Sequence, residues 1–151
     1  MHRLVASWFG TGLILHRLRG SHAGSGTLGG TLALGMSLLL YRWGLLAQLA
    51  GLVVVTGLSL WSVRPFVTDD DGDPGWVVVD EAAGTLLATI GLGGWAAVVG
   101  WLVFRAADIF KNAFPGVARA EALPGPAGVT ADDLVAGLYG LAAGWGFAAL
   151  F

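Results

Sequence analysis

Residues 45–63 read Leu-Leu-Ala-Gln-Leu-Ala-Gly-Leu-Val-Val-Val-Thr-Gly-Leu-Ser-Leu-Trp-Ser-Val, a run without one charged side chain. A helix of roughly 20 apolar residues crosses the hydrocarbon of a bilayer, so this stretch predicts a membrane helix. Further apolar runs flank it at 28–41, 76–92, 95–107 and 134–151. The composition agrees: 56% of the 151 residues are hydrophobic and 12% are charged, against about 25% charged in soluble chains. The expected fold is all-α, a polytopic membrane helix bundle of about five membrane helices in a single integral-membrane domain, 1–151. Runs 28–41 and 95–107 are short for a span, so either can tilt or re-enter. Residues 4–15 are apolar for only half a span and lie between Arg3 and the group His16, Arg17 and Arg19. They predict an N-terminal interfacial helix. Arg17 and Arg19 separate that run from the small-x-small triplet Ser21-His22-Ala23, which argues against a cleaved leader.

The same composition excludes whole classes of chemistry. With zero Cys, disulfides, thiolate metal sites and cysteinyl-phosphate intermediates are impossible. Eight Lys and Arg against ten Asp and Glu, with no basic block, lack the footprint of a nucleic-acid binder, so no nucleic acid partner is expected. Glycine is abundant at 25 residues, and inside apolar runs it permits close helix approach. Gly140 and Gly144 form a small-xxx-small pair, which we read as packing within the chain rather than as a dimer contact.

Each hairpin returns the chain to its starting side. Arg3, Arg17, Arg19, Arg64, Arg105, Lys111 and Arg119 then share one face, with Arg42 alone opposite. The bias of Lys and Arg toward cytoplasmic loops makes the crowded face cytoplasmic. All ten acids fall on or near that same face. Such one-sided accumulation is what a polar site open to the cytoplasmic leaflet needs.

Two acidic doublets stand out. Asp80-Glu81 lies about four residues inside the helix expected at 76–92, roughly 6 Å at 1.5 Å per residue. Charges within spans are costly and mark functional sites by default, although headgroup water could also solvate these. Gly84, one turn on, leaves room for another helix to approach. Asp132-Asp133 recurs at the start of the last helix, where Thr130-x-x-Asp133 also resembles a capping arrangement. Four carboxylates meeting in a low-dielectric pocket would repel one another unless a cation neutralised them. Oxygen ligands without Cys point to Mg²⁺ or Mn²⁺ rather than zinc.

Arg105, Asp108 and Lys111 are spaced three apart at the end of the fourth run. They suit either a snorkelling basic end with an internal ion pair or a phosphate held beside a metal. Ser25, Gly26 and Thr27 open the helix expected near Leu28, where free amides could receive a phosphate or Thr27 could simply cap. The G-x-G-x-x-G match at Gly24, Gly26 and Gly29 is accidental, because no strand precedes it. Asp69-Asp70-Asp71-Gly72-Asp73 fits neither an aspartyl-phosphate domain, for which the chain is too small, nor a calcium loop, whose first and twelfth positions would be Val67 and Val78. It reads as a solvated turn, with Asp73 as N-cap and Pro74 at the first helical position. His2, His16 and His22 share no metal-ligand spacing, and the seven Trp suit an aromatic belt.

Four segments in order carry a resemblance: Ser25-Gly26-Thr27-Leu28-Gly29-Gly30, Asp73-Pro74-Gly75-Trp76-Val77-Val78-Val79-Asp80-Glu81-Ala82-Ala83-Gly84, Phe104-Arg105-Ala106-Ala107-Asp108-Ile109-Phe110-Lys111 and Asp132-Asp133-Leu134-Val135-Ala136-Gly137. Together they resemble phosphatidylglycerophosphatase A, a family of small bacterial membrane enzymes. The resemblance implies Mg²⁺-dependent hydrolysis of the terminal phosphomonoester of phosphatidylglycerophosphate to phosphatidylglycerol, on the cytoplasmic side of the inner membrane, with a bilayer phospholipid as substrate. It implies Asp80, Glu81, Asp132 and Asp133 as metal ligands. Asp80, Glu81, Asp108 and Asp133 would be catalytic, and Arg105, Lys111, Gly26 and Thr27 would bind the phosphate. The chain departs from the family pattern at Ser25, at Gly30 and just after Lys111. The rival reading from another class is a small cation transporter or channel subunit, which predicts acids spread through the membrane depth.

Overall fold

The sequence-expected helices form, with shifted ends, in a computed structural model that describes residues 1–67 and 74–151, without the side chains of residues 15, 16 and 19. In chain order they are α1 (His2–Ala6), α2 (Thr11–Arg19), α3 (Ser25–Tyr41), α4 (Leu45–Ser62), α5 (Val79–Ala88), α6 (Gly94–Ile109), a 3₁₀ turn (Lys111–Ala113), α7 (Val117–Glu121) and α8 (Pro126–Leu150). Among the described residues no strand occurs. The all-α class stands.

Helices α3, α4, α5, α6 and α8 form the bundle, and α8 packs against α4, α5, α6 and α7. Small residues set the spacing. A Cβ on Gly100 would lie 2.6 Å from the carbonyl oxygen of Ala88 and 3.1 Å from that of Gly140, so α5, α6 and α8 meet backbone to backbone. Gly144 likewise sits against Ala96 and Leu92. The Gly140 and Gly144 pair therefore packs within the chain.

Among the described residues two helices, α4 and α8, are long and apolar enough to cross a membrane. Of the other expected membrane helices, α3 has 17 residues and α6 has 16. Helix α5 has 10 residues, a length of about 15 Å, where a run over 76–92 was expected. Its end at Ala88 precedes two left-handed glycines, Gly91 (φ 71°) and Gly94 (φ 54°), which break the apolar run. The irregular backbone there is satisfied by side chains. Gln48 is buried in α4; it donates to Thr89 O at 3.1 Å and accepts from Gly91 N–H at 2.8 Å. Trp145 Nε1 donates to Ile90 O at 3.1 Å. Non-helical backbone away from water requires such partners.

The N-terminal segment differs too. Instead of one interfacial helix over 4–15, α1 and α2 are joined through left-handed Trp8, Phe9 and Gly10. The hairpin is tied to the bundle by Val78 N–H, which donates to Ala6 O at 2.9 Å. That bond holds residue 78 out of the helix, so Pro74 is not its first position and α5 starts at Val79. The Asp69–Asp73 turn and the Asp73 cap fall outside the described residues.

Candidate active site

Helix α5 opens with the first acidic doublet, Asp80 and Glu81 lying in its first turn rather than four residues within it. Helix α8 begins at Pro126, eight residues before the expected start, because proline suits the first helical position. Asp132 and Asp133 are thus inside the helix. Thr130 does not cap it; its hydroxyl pairs with Ser59 Oγ of α4 at 2.8 Å. Parallel packing of α5 and α8 around Gly84 and Gly137 sets the two doublets at the same end of the bundle. Gly84 provides the predicted close approach: its missing Cβ would lie 2.8 Å from the carbonyl oxygen of Asp133.

Asp80, Glu81 and Asp133 converge, with one carboxylate oxygen from each lying within 4.8 Å of the others. Asp80 is 2% exposed and Asp133 3%. Glu81 Oε2 and Asp133 Oδ1 are buried without a hydrogen-bond partner among the described residues. Three carboxylates so close and so dry repel one another, and unsatisfied acceptor oxygens cost free energy. The donor set and its orphan oxygens fit a hard cation, which accounts for both.

Asp132 stands beside this cluster. Its Oδ1 accepts from Asp133 N–H at 2.9 Å and its Oδ2 from Lys111 Nζ at 2.5 Å. Both oxygens are thereby engaged within the protein. Lys111 lies past the end of α6, in the 3₁₀ turn, rather than on one helical face with Arg105 and Asp108. It also donates to Glu121 Oε1 of α7 at 2.7 Å. Burial alone would depress the Lys111 ammonium, but the bonds from Asp132 and Glu121 outweigh it and raise it above its ordinary 10.5. Glu121 is a participant the sequence did not single out, since nothing in its spacing signals a partner ten residues back.

Arg105 and Asp108 form the expected ion pair, Nη1 to Oδ2 at 2.5 Å, and Nη1 lies 3.9 Å from Glu81 Oε1. The pairing is one of charge without hydrogen-bond alignment, and Arg105 Nε and Nη1 have no hydrogen-bond partner among the described residues. Helix α3 begins at Ser25 rather than near Leu28, with Gly24 at its N-cap. Thr27 is therefore not the cap. Gly26 borders the carboxylates directly: a Cβ there would collide with Glu81 Oε1 and stand 2.9 Å from Arg105 Nη2. The first turn of α3, carrying the Gly26 and Thr27 amides, is the third wall of the site.

These features define a class: a helical, membrane-associated protein whose apolar bundle carries a buried acidic centre, able to hold a metal ion, with a guanidinium beside it. The chain belongs to the phosphatidylglycerophosphatase A family, whose family model matches residues 4–148. A protein of Bacteroides thetaiotaomicron named "Putative phosphatidylinositol-3-phosphatase" is 31% identical over 146 residues, covering 90% of this chain and 86% of that protein. No solved structure matches the chain. Family and relative both support a lipid phosphatase.

Proposed function

We propose that the protein is a Mg²⁺-dependent phosphatase, also served by Mn²⁺, acting as a single integral-membrane domain. It hydrolyses the terminal phosphomonoester of phosphatidylglycerophosphate to phosphatidylglycerol at the cytoplasmic face of the inner membrane. The observation that carries this reading is the convergence of Asp80, Glu81 and Asp133 at one end of an apolar bundle beside Arg105. Substrate class follows from family membership over residues 4–148.

Asp80, Glu81 and Asp133 hold the metal. A divalent ion bound there supplies Lewis acidity toward the phosphoryl oxygens and lowers the pKa of water. Arg105 binds the phosphoryl group and stabilises the charge it develops, while Asp108 holds the guanidinium in place. The Gly26 and Thr27 amides, at the positive end of α3, assist on the opposite wall. Attack by water forms a P–O bond as the bond to the glycerol oxygen breaks, and the water's proton ends on that leaving oxygen. Lys111, held by Asp132 and Glu121, ties α7 to α8 beside the site. The doublets' acids gather at one end, which speaks against a conduction path through the membrane depth.

The test is phosphate release by the purified protein from phosphatidylglycerophosphate in mixed micelles, with Mg²⁺ or with chelator. Metal-dependent release is expected. Phosphatidylinositol 3-phosphate belongs in the same panel because of the relative's name, and preference for it would replace the proposed substrate. No release from either lipid would sink the phosphatase reading.

A further inference from the structure

One helical turn deeper than the carboxylates lies a second polar group of side chains. Thr85 Oγ1, Trp101 Nε1 and Arg105 Nε are all buried without a hydrogen-bond partner among the described residues. Thr85, Trp101 and the Arg105 side chain meet against Gly30 of α3. A Cβ on Gly30 of α3 would stand 3.0 Å from Trp101 Nε1, 3.2 Å from Thr85 Oγ1 and 3.7 Å from Arg105 Cδ. Thr85 follows Glu81 by four residues on α5, and Trp101 precedes Arg105 by four on α6. In these antiparallel helices both therefore lie on the site's own face, about 6 Å further in. A tryptophan of an aromatic belt would present its indole nitrogen to the headgroups; Trp101 turns it into the bundle.

Chemistry narrows what these unpartnered groups would bind. Indole and guanidinium nitrogens only donate, and a threonine hydroxyl can donate. Three donors, one of them charged, leave a cation or a further donor unsatisfied and match an oxyanion. Leaving such groups unpaired in a dry interior is costly, so their convergence calls for an acceptor. We infer that Thr85 and Trp101, with Arg105, form the donor half of a phosphoryl-binding subsite between α3, α5 and α6, opposite the metal-holding carboxylates. The inference rests on the lipid-phosphatase reading and assigns two recognition residues to it. Phosphoryl oxygens set against the carboxylate layer point their remaining lone pairs at these donors. Gly30, having no side chain, lets Thr85 and Trp101 approach α3 this closely.

Thr85→Val and Trp101→Phe test it. For each, binding of inorganic phosphate in the presence of Mg²⁺ is measured by calorimetry, alongside kcat and KM for phosphatidylglycerophosphate and the melting midpoint by circular dichroism. Loss of one bond to a charged acceptor should weaken phosphate binding about tenfold in Thr85→Val and in Trp101→Phe. A purely structural role would lower the midpoint and leave phosphate affinity unchanged in the folded fraction. Because Thr85→Val conserves volume, it keeps the test decisive if Trp101→Phe folds poorly. Wild-type phosphate affinity in folded Thr85→Val, or no phosphate binding by the wild-type protein, overturns the inference; a pocket filled by water alone gives the first result. Should the wild-type protein bind phosphate through these residues yet hydrolyse no lipid, the inference stands and the phosphatase reading falls.

Discussion

Gly84→Ala places a methyl where α5, α6 and α8 meet. The new carbon would lie 2.5 and 2.6 Å from Cε2 and Cζ of Phe104 and 2.8 Å from the carbonyl oxygen of Asp133. Ordinary contact begins at 3.4 Å, so the neighbours must withdraw by about 0.6 to 0.9 Å. Phe104 is fully buried and has nowhere to swing. The strain therefore falls on the separation of α5 from α6 and α8. Overpacking of this kind costs about 1–3 kcal/mol, and each kcal/mol lowers the melting midpoint by roughly 2–4 °C at this chain length. The effect on turnover is larger, because α8 carries Asp133 away from Asp80 and Glu81. A misplacement near 1 Å in a catalytic constellation costs on the order of 10²-fold. Melting followed by circular dichroism and metal-dependent phosphate release, both in detergent, read the two effects separately. A Gly84→Ala protein with wild-type midpoint and wild-type turnover would refute the close packing from which the site is built.

Asp80→Asn and Asp133→Asn should each abolish metal-stimulated turnover while leaving helix content by circular dichroism unchanged; retention of near wild-type rates by either variant removes that residue from the site. Mg²⁺ at a hundred times its dissociation constant should stabilise the wild-type protein by about 2.7 kcal/mol. No such stabilisation is expected in those two variants, and an equal response in all three would place the ion elsewhere. Lys111→Met leaves Asp132, 5% exposed, without its cationic partner and should destabilise by about 1–3 kcal/mol. Since the folded-state pKa of Lys111 lies above its ordinary 10.5, its contribution is complete below that value and is lost only at higher pH. The gap between Lys111→Met and wild type attributable to Lys111 should therefore hold from pH 7 to pH 9, and its closure across that window would contradict the pairing. Gln48→Leu leaves Gly91 N–H without its acceptor and Thr89 O with Leu92 N–H alone, at about 1–3 kcal/mol; an unchanged melting midpoint would show that the break after α5 does not depend on Gln48.

Hydropathy and spacing located α3, α4 and α6 to within a few residues, because each apolar run ends at charges or at a tight break. They failed where a helix is not coextensive with its apolar run. Residues 126–133 contain Pro, Gly, Thr and two Asp, yet they extend α8. Gly128 packs against the carbonyls of Glu121 and Leu123, and Thr130 against Ser59. Residues 76–78 and 89–92 are apolar yet stand outside α5. Val78 is bonded to Ala6, and Thr89 and Gly91 to Gln48. In each case a partner distant in sequence satisfies the backbone or removes the side chain from water, and no local window contains that partner.

Residue types and their order were sufficient for the all-α class, the apolar character of the bundle and the oxygen-only donor set, because those depend on what each side chain is. Which acids share a pocket was a matter of three-dimensional packing. Asp132 and Asp133 are neighbours with the same chemistry, but successive helical positions point about 100° apart. The contacts of α8 with α5 at Gly84 turn Asp133 toward Asp80 and Glu81 and leave Asp132 to Lys111. The same packing turned Trp101 and Thr85 inward beside Gly30, a juxtaposition of three helices that spacing along one chain cannot encode.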